Sequence, residues 1–350
     1  MKALLITLTT VVMFTSIAQA DYTTTPFTVC EATGNQESPA IDGDWIVWQD
    51  ERAGSTYPHI YGYTMAEPNE IPICTDAEAV KKLPAVSGNT VVWEDRRNSQ
   101  RDIYAFNLTS RTPLSLVNMP FEDDIYQEEP HLSGDWIIYK HKPGSHYNLY
   151  AYNKPANTVE AVSAIAANQY YPAIDGSLVA WMEVGSAIEL YYRYISTSNP
   201  ARTVNLSTSA SAQWHPAVSN GIIVWAEDRG GTTGWDIYGF DTSNAAAGPF
   251  AIWNKGGDQE RPDICGDIVV WQDNGDIWGI DLSEVNGSRF EITSGSSQLP
   301  AISGNVVVWQ WGTDGSYDIR GAVLTKVIPS SLEVSAPVAG DMVLANTQMN

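Results

Sequence analysis

Pro39-Ala40-Ile41-Asp42-Gly43-Asp44-Trp45-Ile46-Val47-Trp48 is the first of seven copies of one phrase. It returns as Pro84 to Trp93, Pro130 to Tyr139, Pro172 to Trp181, Pro216 to Trp225, Pro262 to Trp271 and Pro300 to Trp309. The aromatic always stands nine residues after the proline, and successive prolines lie 38 to 46 residues apart. A period of ~40–45 residues with strand-like content marks the blades of a β-propeller. Helical repeats of that length would carry apolar stripes of period 3.6, and there are none. The expected fold is all-β: a seven-bladed β-propeller of four-stranded blades spanning residues 21–328.

Each copy reads as four short strands. The first is expected to open at the proline, which a strand tolerates at its start on a sheet edge. A turn follows at Gly43, Gly88, Gly134, Gly176, Gly266 and Gly304, with Asn220 in the fifth copy. Glycine and asparagine are the residues that most readily take positive φ. The second strand is the Trp/Val/Ile run, apolar on both faces because neighbouring blades cover both. His59-Ile60-Tyr61, Asp102-Ile103-Tyr104 and Asp236-Ile237-Tyr238 typify the third, and Glu70 to Cys74 the more variable fourth. The seventh copy runs out after its third strand, near Leu324. Pro26-Phe27-Thr28-Val29-Cys30 matches Ile71-Pro72-Ile73-Cys74, so residues 21–34 are expected to supply the missing strand and close the ring.

The 350 residues include 19 Lys+Arg and 41 Asp+Glu, a formal net charge of −22. That balance excludes a nucleic-acid binder, which needs clustered cations, and a protein docked on anionic lipid. Lys2, the apolar run Ala3 to Phe14 and Ala18-Gln19-Ala20 have the build of a secretory signal peptide over residues 1–20. The chain is therefore expected to be exported, secreted, periplasmic or on the cell surface, with no transmembrane segment after signal removal. Residues 329–350, which include Ser331 to Asp341, read as the truncated start of a β-sandwich module, a docking segment or a frayed end. A monomer, or part of a longer multidomain chain, is expected. Cys30 and Cys74 occupy matching repeat positions and Cys265 a different strand; all three read as small buried apolar residues, not a disulfide framework.

The repeat resembles the TolB-like (WD40-like PD40) β-propeller family, in the variant found in bacterial and archaeal secreted and cell-surface proteins. Val47-Trp48-Gln49-Asp50, Val270-Trp271-Gln272-Asp273 and Asp236-Ile237-Tyr238-Gly239 carry the resemblance, which extends over residues 26–325. It implies the propeller fold. For function it implies only a range, since members bind proteins, bind glycans or carry added catalytic sites.

Strand order puts the loops before each proline and those between strands two and three on one face. The pairs just before the prolines vary while the frame repeats: Glu37-Ser38, Lys82-Leu83, Glu128-Glu129, Tyr170-Tyr171, Trp214-His215, Glu260-Arg261 and Gln298-Leu299. Variable residues on a constant scaffold suit a binding rim. Tyr170, Tyr171 and Trp214 offer flat faces for stacking, and Glu128, His215, Glu260 and Arg261 offer hydrogen bonds, so these seven are the candidate ligand-binding residues.

Other clusters read as structural. Asp50-Glu51-Arg52, Asp95-Arg96-Arg97 and Asp228-Arg229 recur at one repeat position, as turn-stabilising Asp–Arg pairs would. Lys140-His141-Lys142 and His146 replace them in the third copy and read as solvated loop charges. The carboxylates of Phe121-Glu122-Asp123-Asp124 lack the alternating ligand spacing of a calcium loop, so no cofactor is expected and calcium is the weak exception. Asn107, Asn205 and Asn286 stand in Asn-x-Ser/Thr sites. No nucleophile motif is present; His215, Tyr171 and Arg261 are the one trio suited to a polysaccharide lyase. The expected function is a non-catalytic binding or scaffold propeller for a polysaccharide or an envelope or surface protein. A polysaccharide lyase or hydrolase using the same rim, and a TolB-like periplasmic protein-interaction module, are the alternatives.

Overall fold

A computed structural model of the chain describes residues 21–54, 56–76, 79–97, 100–116, 126–195, 204–206, 211–228, 234–284 and 287–327. The signal segment, the tail 329–350, Phe121 to Asp124, Arg229 and Asn286 lie outside the described residues. Seven four-stranded antiparallel sheets form a seven-bladed β-propeller. In blade one the strands run Gln36–Asp42, Trp45–Asp50, His59–Thr64 and Asn69–Cys74 from the axis outward. Blade seven takes its first three strands from Ser297–Ser303, Val306–Thr313 and Ser316–Val327, and its fourth from Asp21–Cys30. That closing strand pairs from Asp21↔Val327 to Cys30↔Ile319.

The doubly apolar second strands explain where the core sits. Seven separate apolar clusters are found among the described residues, one between each pair of neighbouring blades. Trp48, Trp181, Trp225 and Trp271 are fully buried in them. Trp48, Trp93, Trp181 and Trp225 each stack on the tyrosine opposite in strand three, at 6.1–6.4 Å between ring centres. Cross-strand aromatic pairs of this kind stabilise a sheet face. At the closure Phe27 packs flat over Gly321, where a Cβ would collide with its ring.

The turns after the prolines behave as expected. Gly43, Gly88, Gly134, Gly176, Asn220, Gly266 and Gly304 all have φ between +49° and +59°. They also build something the repeats did not reveal. Each turn N–H donates to a side chain at the end of the preceding blade's inner strand: Gly43 to Ser303, Gly88 to Asp42, Gly134 to Ser87 and Gly176 to Ser133. Asn220 donates to Asp175, Gly266 to Ser219 and Gly304 to the Cys265 sulfur, so seven hydrogen bonds form a closed hoop at one end of the channel. Cys265 is thus a hydroxyl substitute. We expect Cys265→Ser to keep the melting temperature within about 2 °C of wild type, and Cys265→Val to lower it by about 2–4 °C, one hydrogen bond's worth. Scanning calorimetry of the two variants checks this.

Two expectations need correction. The first strand does not open at the proline but three or four residues earlier, and the residue directly before each proline is left-handed, with φ of +49° to +53°. The bulge this makes lets the proline, which lacks an N–H, sit inside the strand. The cysteines are all free, but only Cys30 is buried; Cys74 and Cys265 are half-exposed. Sulfur accepts a hydrogen bond at both, from Arg97 at Cys74 and from the Gly304 N–H at Cys265.

Candidate functional site

The bulge at each proline sends its two preceding residues in different directions. The residue directly before the proline points into the central channel, where Ser38, Leu83, Glu129, Tyr171, His215, Arg261 and Leu299 form the uppermost ring of a cavity of about 540 Å³. The residue two before it pairs with strand two instead. Glu128 lies opposite Lys140, Tyr170 opposite Met182, Trp214 opposite Ala226 and Glu260 opposite Gln272. Of the seven candidate ligand-binding residues, Tyr171, His215 and Arg261 therefore line the channel; Glu128, Tyr170, Trp214 and Glu260 stand behind it.

Inter-blade bonds hold the ring of left-handed residues in place. The Ser38 N–H donates to Gln310 Oε1 at 3.3 Å, Leu299 N–H to Gln272 Oε1 at 3.4 Å and Tyr171 N–H to Glu129 Oε2 at 3.2 Å. The loops between strands two and three share this face, since Glu51 N–H donates to Asn35 O and Gly312 N–H to Ser296 O. In blade one Asp50 accepts Trp48 Nε1 and Arg52 Nε and Nη2, while the guanidinium lies 4.1 Å over Tyr61 and donates to Cys30 Sγ at 3.1 Å. Asp95, Trp93, Arg97, Tyr104 and Cys74 repeat the arrangement in blade two. The Asp–Arg pairs are structural clamps. In blade five Glu227 accepts Trp225 Nε1, and Arg229 of the expected Asp228–Arg229 pair lies outside the described residues.

Blade three departs from the pattern, and not as solvated loop charge. Lys140 and His141 are buried in strand two. Lys140 Nζ reaches Glu129 at 2.6 Å and Glu128 at 3.2 Å, and lies 4.6–4.7 Å from the ring centres of Tyr147 and Tyr170. Arg101 adds a second ion pair to Glu128. Burial works against the Lys140 ammonium, but Glu129 and Glu128 outweigh it and raise its pKa above the ordinary value. Glu128 is thus committed to the frame.

Over this ion network runs an aromatic arc. Tyr147 meets Tyr170 at 5.9 Å, Tyr170 meets Tyr171 at 6.5 Å, and Tyr171 meets Trp214 at 6.1 Å and His215 at 4.5 Å. Trp214 goes on to Trp235 at 6.0 Å. All are half-buried, and they link blades three, four and five from the outer loops to the channel mouth. Tyr147 and Trp235 escaped sequence reading because they stand at the entry to strand three, after loops of differing length. Trp214 Nε1 and His215 Nε2 are buried without a hydrogen-bond partner. Burial, with Arg261 nearby, lowers the His215 pKa to about 4, so its ring is neutral at neutral pH. Burial pushes the Cys30 and Cys74 thiols up to about 12 and about 11, far from the thiolate a nucleophile needs. Among the described residues no group of three or more His, Cys, Asp or Glu could hold a metal ion.

No family model and no curated protein matches the chain. Solved structures do. A Mycobacterium tuberculosis puromycin-hydrolyzing peptidase is 14% identical with a TM-score of 0.60, over 84% of this chain and 52% of the peptidase. An oligogalacturonate lyase from Vibrio parahaemolyticus is 10% identical with a TM-score of 0.62, over 87% of this chain and 98% of the lyase. The β-propeller domain of the Trilobed protease from Pyrococcus furiosus is 9% identical with a TM-score of 0.60, over 84% and 97%. At these identities the likeness is one of fold. The chain spans about half the length of the peptidase and nearly all of the lyase.

Proposed function

We propose that this propeller binds a polysaccharide along the aromatic arc, with the channel mouth as the end of the binding track. One observation carries the reading: five aromatic side chains in unbroken succession, half-exposed, beside unpaired polar atoms of Trp214 and His215. Flat rings in series stack on successive sugar faces, and a polar tip at each fixes orientation. The signal-like leader and the resemblance to TolB-like propellers support a place outside the cytoplasm, secreted, periplasmic or at the cell surface. In that setting the ligand is an extracellular or envelope glycan.

Native affinity electrophoresis through gels cast with single polysaccharides tests this. Retardation in one gel, and at least tenfold weaker retention for Trp214→Ala, is expected, because a central aromatic anchor carries a large share of such binding. Free migration in every gel would overturn the reading in favour of a protein partner.

A second reading rests on a specific contact. Tyr171 and His215 touch at the mouth, Arg261 acts on His215, and His215 is neutral, as a proton acceptor must be. Those groups fit a polysaccharide lyase or hydrolase using the same rim. A cleared zone around the retarded band, absent in His215→Ala and Arg261→Ala, would move this reading to first place.

A further inference from the structure

One residue after each proline, the channel wall carries alanine in five blades: Ala40, Ala85, Ala173, Ala217 and Ala301. Blades three and six break the rule with His131 and Asp263, both in the channel lining. Blades three and six are separated by two blades on one side and three on the other, so the two positions lie on opposite sides of a channel otherwise lined there by alanine. They meet channel solvent yet are encircled by protein. This enclosure lowers the His131 pKa and keeps its ring neutral.

The channel's charges are unequal. Its lining holds the carboxylates of Asp42, Glu129, Asp175 and Asp263 against one cation, Arg261. Glu129 is neutralised by Lys140, and Asp42 and Asp175 accept N–H groups of the basal hoop. Asp263 accepts only two backbone N–H groups, from Ile264 at 2.9 Å and Ile302 at 2.8 Å, and among the described residues no side-chain cation reaches it. Burial outweighs those two donors and pushes its pKa up to about 6. An enclosed carboxylate without a counter-ion is the complement of a ligand cation. The chain's net charge of −22 draws a positive ligand toward the same place.

We infer that Asp263 is the counter-ion for a ligand ammonium group, and that the glycan on the aromatic arc is an amino-sugar polymer with free amines, one end of which enters the channel. This rests on the glycan reading of the arc. The cavity of about 540 Å³ lies within the range that holds small ligands, and the arc leads directly into its mouth. Arg261, two residues above Asp263 and exposed in the lining, sits where it can donate to sugar oxygens.

The test is calorimetric titration of the intact protein with a glucosamine oligosaccharide and with the same oligosaccharide fully N-acetylated. The free-amine form should bind at least tenfold more tightly, as a charge-assisted bond requires. Asp263→Asn, whose single amide oxygen keeps one of the two backbone donors, should bring the free-amine form down to the acetylated affinity; its melting curve verifies folding. Equal affinities for wild type overturn the inference and leave the arc reading intact if Trp214→Ala still weakens both. Failure of both sugars to bind, with Trp214→Ala silent, overturns the arc reading as well. Asp263-dependent binding of a lysine-bearing peptide in place of either sugar assigns the channel to a protein ligand and likewise overturns the inference.

Discussion

A chain lacking residues 21–33 should melt at least 10 °C below the intact protein, or show no cooperative transition. The deleted strand contributes Val29 and Cys30 to the cluster between blades seven and one, together with the half-buried Phe27. At its other end Tyr22 stacks on Phe290 at 4.4 Å and donates to Asp281 at 2.7 Å, reaching into blade six. Burial of each large apolar side chain stabilises by about 1.5–3 kcal/mol, so the strand as a whole contributes on the order of 5–10 kcal/mol. Net stabilities of domains are of the same size, about 5–15 kcal/mol. Deletion also bares the edge of Ser316–Val327, a twelve-residue strand of the kind that recruits other chains, so aggregation should accompany the loss. Circular dichroism melts and light scattering read both effects. A melting temperature within 2 °C of wild type would refute the closure.

Lys140→Met should destabilise by about 3–5 kcal/mol, because it leaves Glu129 without its cation and Glu128 with Arg101 alone. Replacing Glu129 by Gln in the same chain should recover part of the loss, and a double-mutant cycle in urea measures the coupling. The pH dependence has a definite sign. A lysine whose pKa is raised by folding stabilises fully below its unfolded value and loses that contribution only as pH climbs through the higher folded value. The gap between wild type and variant should therefore be flat from about pH 6 to 9 and close only in strong alkali. Because Tyr147 and Tyr170 rest on the same ammonium, the variant should also bind glycan more weakly. A stable variant with unaltered binding would return Lys140 to the role of a surface charge.

How far the amino acids disclose their arrangement can be judged from single positions. The nine-residue step from proline to aromatic and the Gly/Asn turns specify blade number, and the likeness of Thr28-Val29-Cys30 to Pro72-Ile73-Cys74 specifies the closure. The step and the turns are repeated signals, each confirmed six times within one chain, whereas the closure rests on a single match. The site is written in the departures from the repeat, where each signal occurs once. Lys140 reads as a loop charge because His141 and Lys142 follow it; only pairing across the sheet to Glu128 brings the acids that neutralise it. Glu128 and Tyr170 read as rim residues because a left-handed neighbour, unusual for Glu129 and Tyr171, redirects them. His131 and Asp263 are visible against five alanines once the copies are aligned, but their juxtaposition exists only in the closed ring.

The left-handed residue before each proline recasts the mouth of the channel as a string of seven letters. Its backbone shape is imposed by the bulge and by bonds from the neighbouring blade, so serine, leucine, glutamate, tyrosine, histidine and arginine all occupy it in this one molecule. A letter can be changed without rewriting the grammar that holds it. Duplicated blades thus separate the evolution of recognition from the maintenance of the fold, and a library randomised at the six positions other than Glu129, which is tied to Lys140, would sample new specificities on a frame that is already solved.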